Sequence, residues 1–116
     1  MLEYNKESYI QHKVNNCKYY DRKKDYYDDF KTINKSWIKK TINQQFNRCY
    51  YCHIVMTYGE GITSKTDITI ERIKNDEPHN RDNCVIACLK CNNWRGNNCK
   101  AEEFVVMVEA LINFNK

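Results

Sequence analysis

The sequence predicts a small α+β domain in which helices precede and follow a compact segment with two short strands. Three observations carry this prediction. Apolar residues recur at helical spacing near both ends of the chain, and two short runs rich in β-branched residues lie between them. A CxxC pair stands on each side of those runs, Cys49 with Cys52 and Cys88 with Cys91. With 116 residues, we expect one domain spanning 1–116.

Residues 1–48 are predicted to form a basic arm of two or three helices. Three sets of apolar residues follow the i, i+4, i+7 rule: Ile10, Val14 and Cys17; Tyr26, Phe30, Ile33 and Trp37; Ile38, Ile42 and Phe46. This segment contains 11 Lys/Arg against 6 Asp/Glu, a net charge of +5, whereas residues 49–116 carry −1. The asymmetry favours a polyanionic partner, because basic side chains displace counterions from phosphates. A solvated helix surface would give the same composition.

Four tyrosines of this arm lie among basic residues. Tyr19, Tyr20, Tyr26 and Tyr27 interleave with Lys18, Arg22, Lys23 and Lys24. Such a mixture could stack on bases and pair with phosphates. Tyrosines at helical spacing more often belong to a hydrophobic core, and we expect these four to do so.

The segment 49–98 reads as knuckle, strand, loop, strand, knuckle and helix. Tyr58-Gly-Glu-Gly indicates a turn, and Ile68 and Ile70 with their threonine neighbours indicate a short strand. A polar loop over 75–83 leads to a second strand, Cys84-Val-Ile-Ala. The following helix is predicted to start near Asn92, and Gly96 limits its length.

The segment 99–116 is predicted to be a final helix. Its apolar stripe consists of Phe104, Val105, Val108, Leu111 and Ile112. Glu102 and Glu103 fall in the first turn, where the helix dipole favours negative charge.

The two CxxC pairs predict a structural Zn2+ site. Each pair can supply two thiolates to one tetrahedral zinc, and an odd total of seven cysteines suits a disulfide framework poorly. The favoured ligands are Cys49, Cys52, Cys88 and Cys91. Cys84 and His53 could compete for this role. We expect Cys84 to point into the core, and Cys17 and Cys99 to be free thiols.

Membrane classes are disfavoured by the composition. The chain is 29% charged, its mean hydropathy is −0.86, and no window approaches the length of a membrane span. The first residues do not resemble a signal peptide. We therefore expect an intracellular protein, cytoplasmic or nuclear and conceivably of viral or phage origin, with no membrane partner.

Taken in order, these motifs resemble the HNH, or ββα-metal (His-Me finger), endonucleases. In that family two zinc knuckles often frame a strand ending in Asp-His, a loop carrying Asn, and a helix starting at Cys-x-x-Cys-His or Cys-x-x-Cys-Asn. The matching stretch is Thr69-Ile-Glu-Arg-Ile followed by Asn80-Arg-Asp-Asn-Cys-Val-Ile-Ala-Cys-Leu-Lys-Cys-Asn-Asn-Trp-Arg-Gly. The resemblance covers 49–98, and members related to phage endonuclease VII also end this motif with Asn. It implies a zinc-stabilised, treble-clef-like ββα-metal module that hydrolyses phosphodiester bonds in DNA.

The resemblance also implies roles for individual residues. Glu71 occupies the position of the metal-binding aspartate, and Arg72 that of the general-base histidine. Asn83 matches the middle asparagine, which steadies the loop and orients the base. Asn92 matches the last residue of the motif, whose side chain completes the metal site. Glu71 and Asn92 would thus bind a hard catalytic cation, Mg2+ or Mn2+, through a carboxylate and an amide oxygen.

Arg72 departs from the family pattern. Arginine stays protonated and cannot act as a base, although it could bind the phosphate. His79 is the histidine best placed to replace the base, yet a loop histidine beside Pro78 is usually a surface residue. Activation of a metal-bound water without a side-chain base is a further alternative.

Two functions therefore stay open. The first is a metal-dependent HNH-like DNA endonuclease. The second is a catalytically inactive HNH-like zinc module that binds nucleic acid or acts as a protein scaffold, which the missing histidine and the basic arm would both fit.

Overall fold

The computed structural model describes residues 6–59 and 64–114, and within these ranges it contains four helices and one two-stranded sheet. The elements are α1 (Lys6–Lys23), α2 (Lys35–Gln44), β1 (Ile68–Arg72), β2 (Cys84–Cys88), α3 (Leu89–Arg95) and α4 (Ala101–Phe114). The α+β class and both predicted strands are confirmed. None of the helices in the described ranges has the length and apolar character needed to cross a membrane.

The sheet and α3 form a ββα unit. β1 and β2 are antiparallel, with Ile68 opposite Cys88 and Arg72 opposite Cys84. The chain enters α3 directly from β2, so this helix begins at Leu89 rather than near Asn92 as the sequence had predicted. It ends at Gly96, whose φ of +46° lies in the region that favours glycine. The predicted limit at this glycine is confirmed.

The N-terminal helices share one core with this unit. α1 buries the predicted Ile10, Val14 and Cys17. α2 buries Ile38 and Ile42. These side chains belong to the same apolar cluster as the buried isoleucines of β1 and β2. Residues 6–44 therefore cover the sheet and do not project from it as a detached arm.

One predicted helical face is wrong: that of Tyr26, Phe30, Ile33 and Trp37. The chain leaves α1 at Lys23, and Asp25 then adopts a left-handed φ of 62°. The backbone that follows bonds to the polar loop, with the Ile33 amide donating to the His79 carbonyl at 3.0 Å. Phe30 is consequently 87% exposed. The apolar residues of this segment have helical spacing, but backbone groups such as the Ile33 amide are bonded to the polar loop and not within a helix.

The predicted extension of the α2 face to Phe46 is also wrong. α2 ends at Gln44, and Phe46 and Asn47 have left-handed φ values of 55° and 57°. The Gln45 side chain holds this turn by donating to the Arg48 and Ile86 carbonyls, both at 2.8 Å. Phe46 therefore points away from the core and is 83% exposed.

The tyrosines of the N-terminal region do not lie in the core, contrary to the expectation. Tyr19 is 69% exposed, and Tyr20, Tyr26 and Tyr27 are half-buried. Two of the rings lie against cations: the Arg22 guanidinium is 4.4 Å from the centre of the Tyr27 ring, and the Arg72 guanidinium is 4.7 Å from that of Tyr20.

The remaining predictions hold in part. In α4, Phe104 and Val108 are buried and Val105 and Ile112 pack half-buried against the core, so of the predicted stripe only Leu111, 43% exposed, lies at the surface. Glu102 and Glu103 lie in its first turn as predicted. The turn after Tyr58 begins at Gly59 with φ +71°, where the Tyr9 ring leaves no room for a Cβ. Its next two residues, Glu60 and Gly61, lie outside the described residues.

Replacement of Ile10 by alanine should destabilise the whole domain. Ile10 is fully buried between α1 and the rest of the core, and truncation of such a side chain costs about 2–5 kcal/mol. Urea unfolding would measure this loss against Val106→Ala, whose parent side chain is 66% exposed and should cost at most about 0.5 kcal/mol. Equal stability of the two variants would contradict a shared core.

Candidate functional site

The four cysteines of the two CxxC pairs come together in one cluster. The sulfur atoms of Cys49, Cys52, Cys88 and Cys91 all lie within 4.8 Å of one another. Cys52 Sγ and Cys88 Sγ are 3.8 Å apart. Tetrahedral zinc with Zn–S bonds of about 2.3 Å separates its sulfur ligands by roughly 3.8 Å. The cluster therefore has the size and the donor atoms to hold a metal ion such as zinc.

The surroundings favour the thiolate at Cys49, whereas hydrogen bonds to Cys49 raise the pKa of the Cys88 and Cys91 thiols. Cys49 Sγ accepts hydrogen bonds from the backbone amides of Tyr51 at 3.4 Å and Cys88 at 3.3 Å. Hydrogen bonds from the Cys88 and Cys91 thiols, in that order, are the main reason that the pKa of Cys49 is lowered. A thiolate is the form that binds metal.

The other candidate ligands lie elsewhere. Cys84 is buried on β2, as expected, and His53 is exposed beside the first knuckle; neither belongs to the four-sulfur set found among residues 6–59 and 64–114. Burial raises the pKa of Cys84, and likewise raises that of Cys17 to about 12. These two thiols are therefore kept neutral and unreactive.

A second feature is a polar hollow of about 190 Å³ at the end of β1. Four of the five residues singled out for catalysis line it: Glu71, Arg72, His79 and Asn92. The fifth, Asn83, is not among the lining residues. Its side chain accepts from the Lys74 amide at 3.0 Å and donates to the Lys74 and Pro78 carbonyls, both at 3.1 Å. Asn83 thereby fixes the shape of the polar loop.

Strand and helix periodicity explain why Glu71 and Asn92 converge. Thr69 and Glu71 are two residues apart on β1 and point to the same face. α3 contacts that strand, and Asn92 Nδ2 donates to Thr69 Oγ1 at 2.9 Å. With its nitrogen so engaged, Asn92 has its amide oxygen available for a ligand in the hollow.

Glu71 is a buried carboxylate with one unsatisfied oxygen. It is 5% exposed, and Oε1 forms an ion pair with Arg95 Nη1 at 3.3 Å. Oε2 makes no hydrogen bond of good geometry to any residue in the described ranges. The Tyr51 hydroxyl also lacks a partner of good hydrogen-bond geometry, yet it is close enough to donate to this carboxyl. Burial raises the pKa of Glu71, and Arg95 and Tyr51 oppose this shift. An unpartnered buried carboxylate oxygen is costly, and a cation would relieve that cost.

His79 is buried and held by a carboxylate of α1, so the expectation of a surface residue is wrong. Its Nδ1 lies 2.8 Å from Asp21 Oδ1, and its backbone amide donates to Asp21 Oδ2 at 2.8 Å. Asp21 is 1% exposed and His79 9%. Burial lowers the pKa of His79, and Asp21 opposes this shift. A neutral imidazole whose Nδ1–H donates a hydrogen bond to Asp21 has its Nε2 free to accept a proton.

Arg72 is fixed at the rim of the hollow. Its Nη1 donates to the Tyr26 hydroxyl at 3.0 Å and the Glu77 carbonyl at 3.2 Å. Its guanidinium lies 4.7 Å from the centre of the Tyr20 ring. These contacts orient a permanent cation that can receive an anionic group.

Asp21 and Arg95 are site residues that the sequence reasoning missed. Asp21 continues the spacing of Ile10, Val14 and Cys17, so a carboxylate stands where the next core residue belongs. Arg95 follows Cys91 by four residues on the buried side of α3. In both cases the available signal was a charged residue in register with a buried helical face.

Comparison with known proteins gives one sequence relative and one structural neighbour. No protein-family model matches the chain. It is 34% identical over 85 residues, 73% of its length, to the uncharacterized protein R423 of Acanthamoeba polyphaga mimivirus. The match spans only 14% of that viral protein.

The structural neighbour is the rare-cutting HNH restriction endonuclease PacI. The TM-score is 0.63 with 19% identity, over 88% of this chain and 75% of PacI. At that identity the likeness concerns the fold. The chain therefore has an HNH-like fold around a four-cysteine cluster suited to a metal ion.

Purified protein should contain about one zinc per chain, and Cys88→Ser should remove it and unfold the domain, since structural zinc binding supplies folding free energy. Elemental analysis and circular dichroism would measure both effects. Cys99→Ser is the matched control, because Cys99 lies outside the four-sulfur cluster. Full zinc content in Cys88→Ser would contradict this ligand set.

Proposed function

We propose that this chain is an HNH-like, metal-dependent endonuclease that hydrolyses phosphodiester bonds in DNA, with structural zinc at its four clustered cysteines. The observation that carries the proposal is the convergence of Glu71, Arg72, His79 and Asn92 on one polar hollow. This hollow lies in a fold that resembles PacI. It combines a carboxylate, an amide oxygen, an imidazole and a guanidinium, which together suit a phosphodiester and a cation.

The hollow fits a hard divalent cation. Mg2+ binds proteins through one or two carboxylates and keeps several waters for substrate phosphates to replace. The Glu71 carboxylate and the Asn92 amide oxygen would hold it, since both residues line the hollow. When bound, Mg2+ or Mn2+ would stabilise negative charge at the scissile phosphate and its leaving oxygen.

The chain's own residues would divide the remaining work. His79 Nε2 would take a proton from the attacking water, while Asp21 holds Nδ1 and stabilises the imidazolium that forms. Arg72 would bind a non-bridging phosphate oxygen through its planar donors. Asn83 would hold the polar loop, which keeps His79 in place. Arginine at the usual position of the base is then compatible with catalysis, because the base comes from the loop.

One observation favours the inactive alternative, a zinc module that binds nucleic acid or acts as a protein scaffold. Glu71 is paired with Arg95, and burial raises its pKa. Both effects weaken the carboxylate as a cation ligand. Divalent-metal dependence of cleavage separates the two functions.

We expect the protein to nick supercoiled plasmid in Mg2+ or Mn2+. Glu71→Gln and Asn92→Ala should each lower the nicking rate by at least about 100-fold, because charge stabilisation by the cation is worth several kcal/mol. Asn93→Ala is the matched control, since Asn93 is the exposed neighbour on α3. Metal should be omitted rather than chelated, so that zinc is retained. Cleavage that survives both substitutions, or is absent with every divalent metal, would overturn the nuclease proposal.

His79→Ala should lower the cleavage rate by about 10²–10⁴-fold, the usual contribution of a general base. His12→Ala, at an exposed position of α1, is its control. A neutral imidazole is required, so the wild-type rate should fall as the pH drops through a pKa below the ordinary 6.5. Asp21 raises and Arg72 lowers that pKa.

Asp21→Asn should therefore move this midpoint to lower pH and reduce the plateau rate as well. A merely structural role for Asp21 would lower the rate without moving the midpoint. An unchanged pH profile in Asp21→Asn would contradict the assignment of His79 as the base.

A further inference from the structure

The end of α1, with Lys24 just after it, carries an aromatic and basic groove that lies outside the polar hollow. Tyr19, Tyr20, Lys23 and Lys24 line it, and we call it the tyrosine groove. Its volume is about 360 Å³, and it is open to solvent. Tyr19 is 69% exposed, and the Lys24 ammonium lies 5.9 Å from the centre of the Tyr20 ring.

The tyrosine groove adjoins the polar hollow through Tyr20. The Tyr20 ring packs edge to face with the His79 ring, with a centroid distance of 5.6 Å. Its hydroxyl accepts from Arg72 Nη2 at 3.4 Å. Arg72 and His79 both line the hollow, so Tyr20 stands between the two cavities. A chain of phosphates with one phosphate in the hollow would place the adjoining nucleotide at the groove.

The composition of the tyrosine groove suits a nucleotide with an unstacked base. Aromatic side chains offer a flat face to any base, and two lysines can pair with its flanking phosphates. Paired bases within a duplex already have both faces covered by neighbours, so they cannot use a ring at the protein surface. An acidic peptide would pair with the lysines but would have no group that packs on the tyrosine rings.

We propose that the tyrosine groove binds the base of an unpaired nucleotide, one or two nucleotides from the phosphate in the polar hollow. The preferred substrate is then a duplex interrupted by unpaired nucleotides, such as a flap, bulge or gap. This assignment rests on the proposed function for the position of the scissile phosphate. The contact itself is a binding property, and it can be measured without cleavage.

The test is an equilibrium binding cycle without added Mg2+, using fluorescent duplexes with a short single-stranded flap. Each flap carries either normal nucleotides or abasic ones beside the junction. Wild type should bind the normal flap about 5- to 150-fold more tightly than the abasic flap, the range for stacking of one base on an aromatic side chain. Tyr19→Leu should lose this difference, and Tyr19→Trp should keep it.

Two controls separate stacking from other effects. Phe114→Leu removes an aromatic that is even more exposed than Tyr19, 86% accessible at the end of α4, and should bind like wild type. The double variant Lys23→Ala, Lys24→Ala should weaken the binding of normal and abasic flaps alike, because it removes charge and leaves Tyr19 in place. Tyr19 is exposed, so an unchanged melting temperature should show that Tyr19→Leu is folded.

Three results would overturn the inference. The first is that wild type binds normal and abasic flaps equally. The second is that Tyr19→Leu keeps the full preference for the normal flap without loss of affinity. The third is that Tyr19→Leu weakens the binding of both flaps equally. The last of these would assign the groove to backbone or other polyanion binding. A protein that shows the base preference but never cleaves would refute the proposed catalysis and leave the groove assignment standing.

Discussion

A single buried guanidinium holds the parts of the polar hollow in place. Arg95 Nη1 donates to the Arg72 carbonyl at 2.6 Å, Nη2 to the Ile73 carbonyl at 2.8 Å and Nε to the Cys99 carbonyl at 3.1 Å. The same guanidinium forms the ion pair with the Glu71 carboxylate. One side chain of α3 therefore fixes the end of β1, the start of the polar loop and the approach to α4. A buried arginine is stable only when its donors are satisfied this fully, so these segments cannot rearrange independently.

The cysteine cluster and Arg95 act at opposite ends of the same short helix. Cys88 and Cys91 tie the beginning of α3 to the first knuckle, and Arg95 ties its end to β1. A seven-residue helix is far too short to be stable on its own. Tertiary contacts at both ends therefore define its orientation, and with it the direction in which Asn92 faces. In this way the cysteine cluster contributes to the geometry of the hollow without lining it.

The sequence predicted the parts of this structure that depend on local pattern. Strand alternation around Ile68 and Ile70, the CxxC spacing and the limit at Gly96 are each set within a few residues, and each was found. The connection between α1 and α2 failed because its backbone partners, such as the His79 carbonyl bonded by Ile33, are distant in sequence. The role of Asp21 was not predicted for the same reason, because it depends on His79, which is 58 residues away in the sequence. Helical periodicity identifies a buried position but does not reveal why a charge occupies it.

In the proposed mechanism the base lies on the polar loop and not on β1, and this gives the N-terminal segment a part in the site. The ββα unit alone does not fix the orientation of His79 or Arg72. His79 instead depends on Asp21, and Arg72 on Tyr20 and Tyr26, so α1 and the connection after it determine the state of both side chains. Because Asp21 lies on the same helical face as Ile10 and Val14, the packing that buries α1 also sets the position of its carboxylate. In the proposed mechanism the basic segment is therefore part of the site: without it, a ββα unit would keep Glu71 and Asn92 but would lose the Asp21 carboxylate that holds His79.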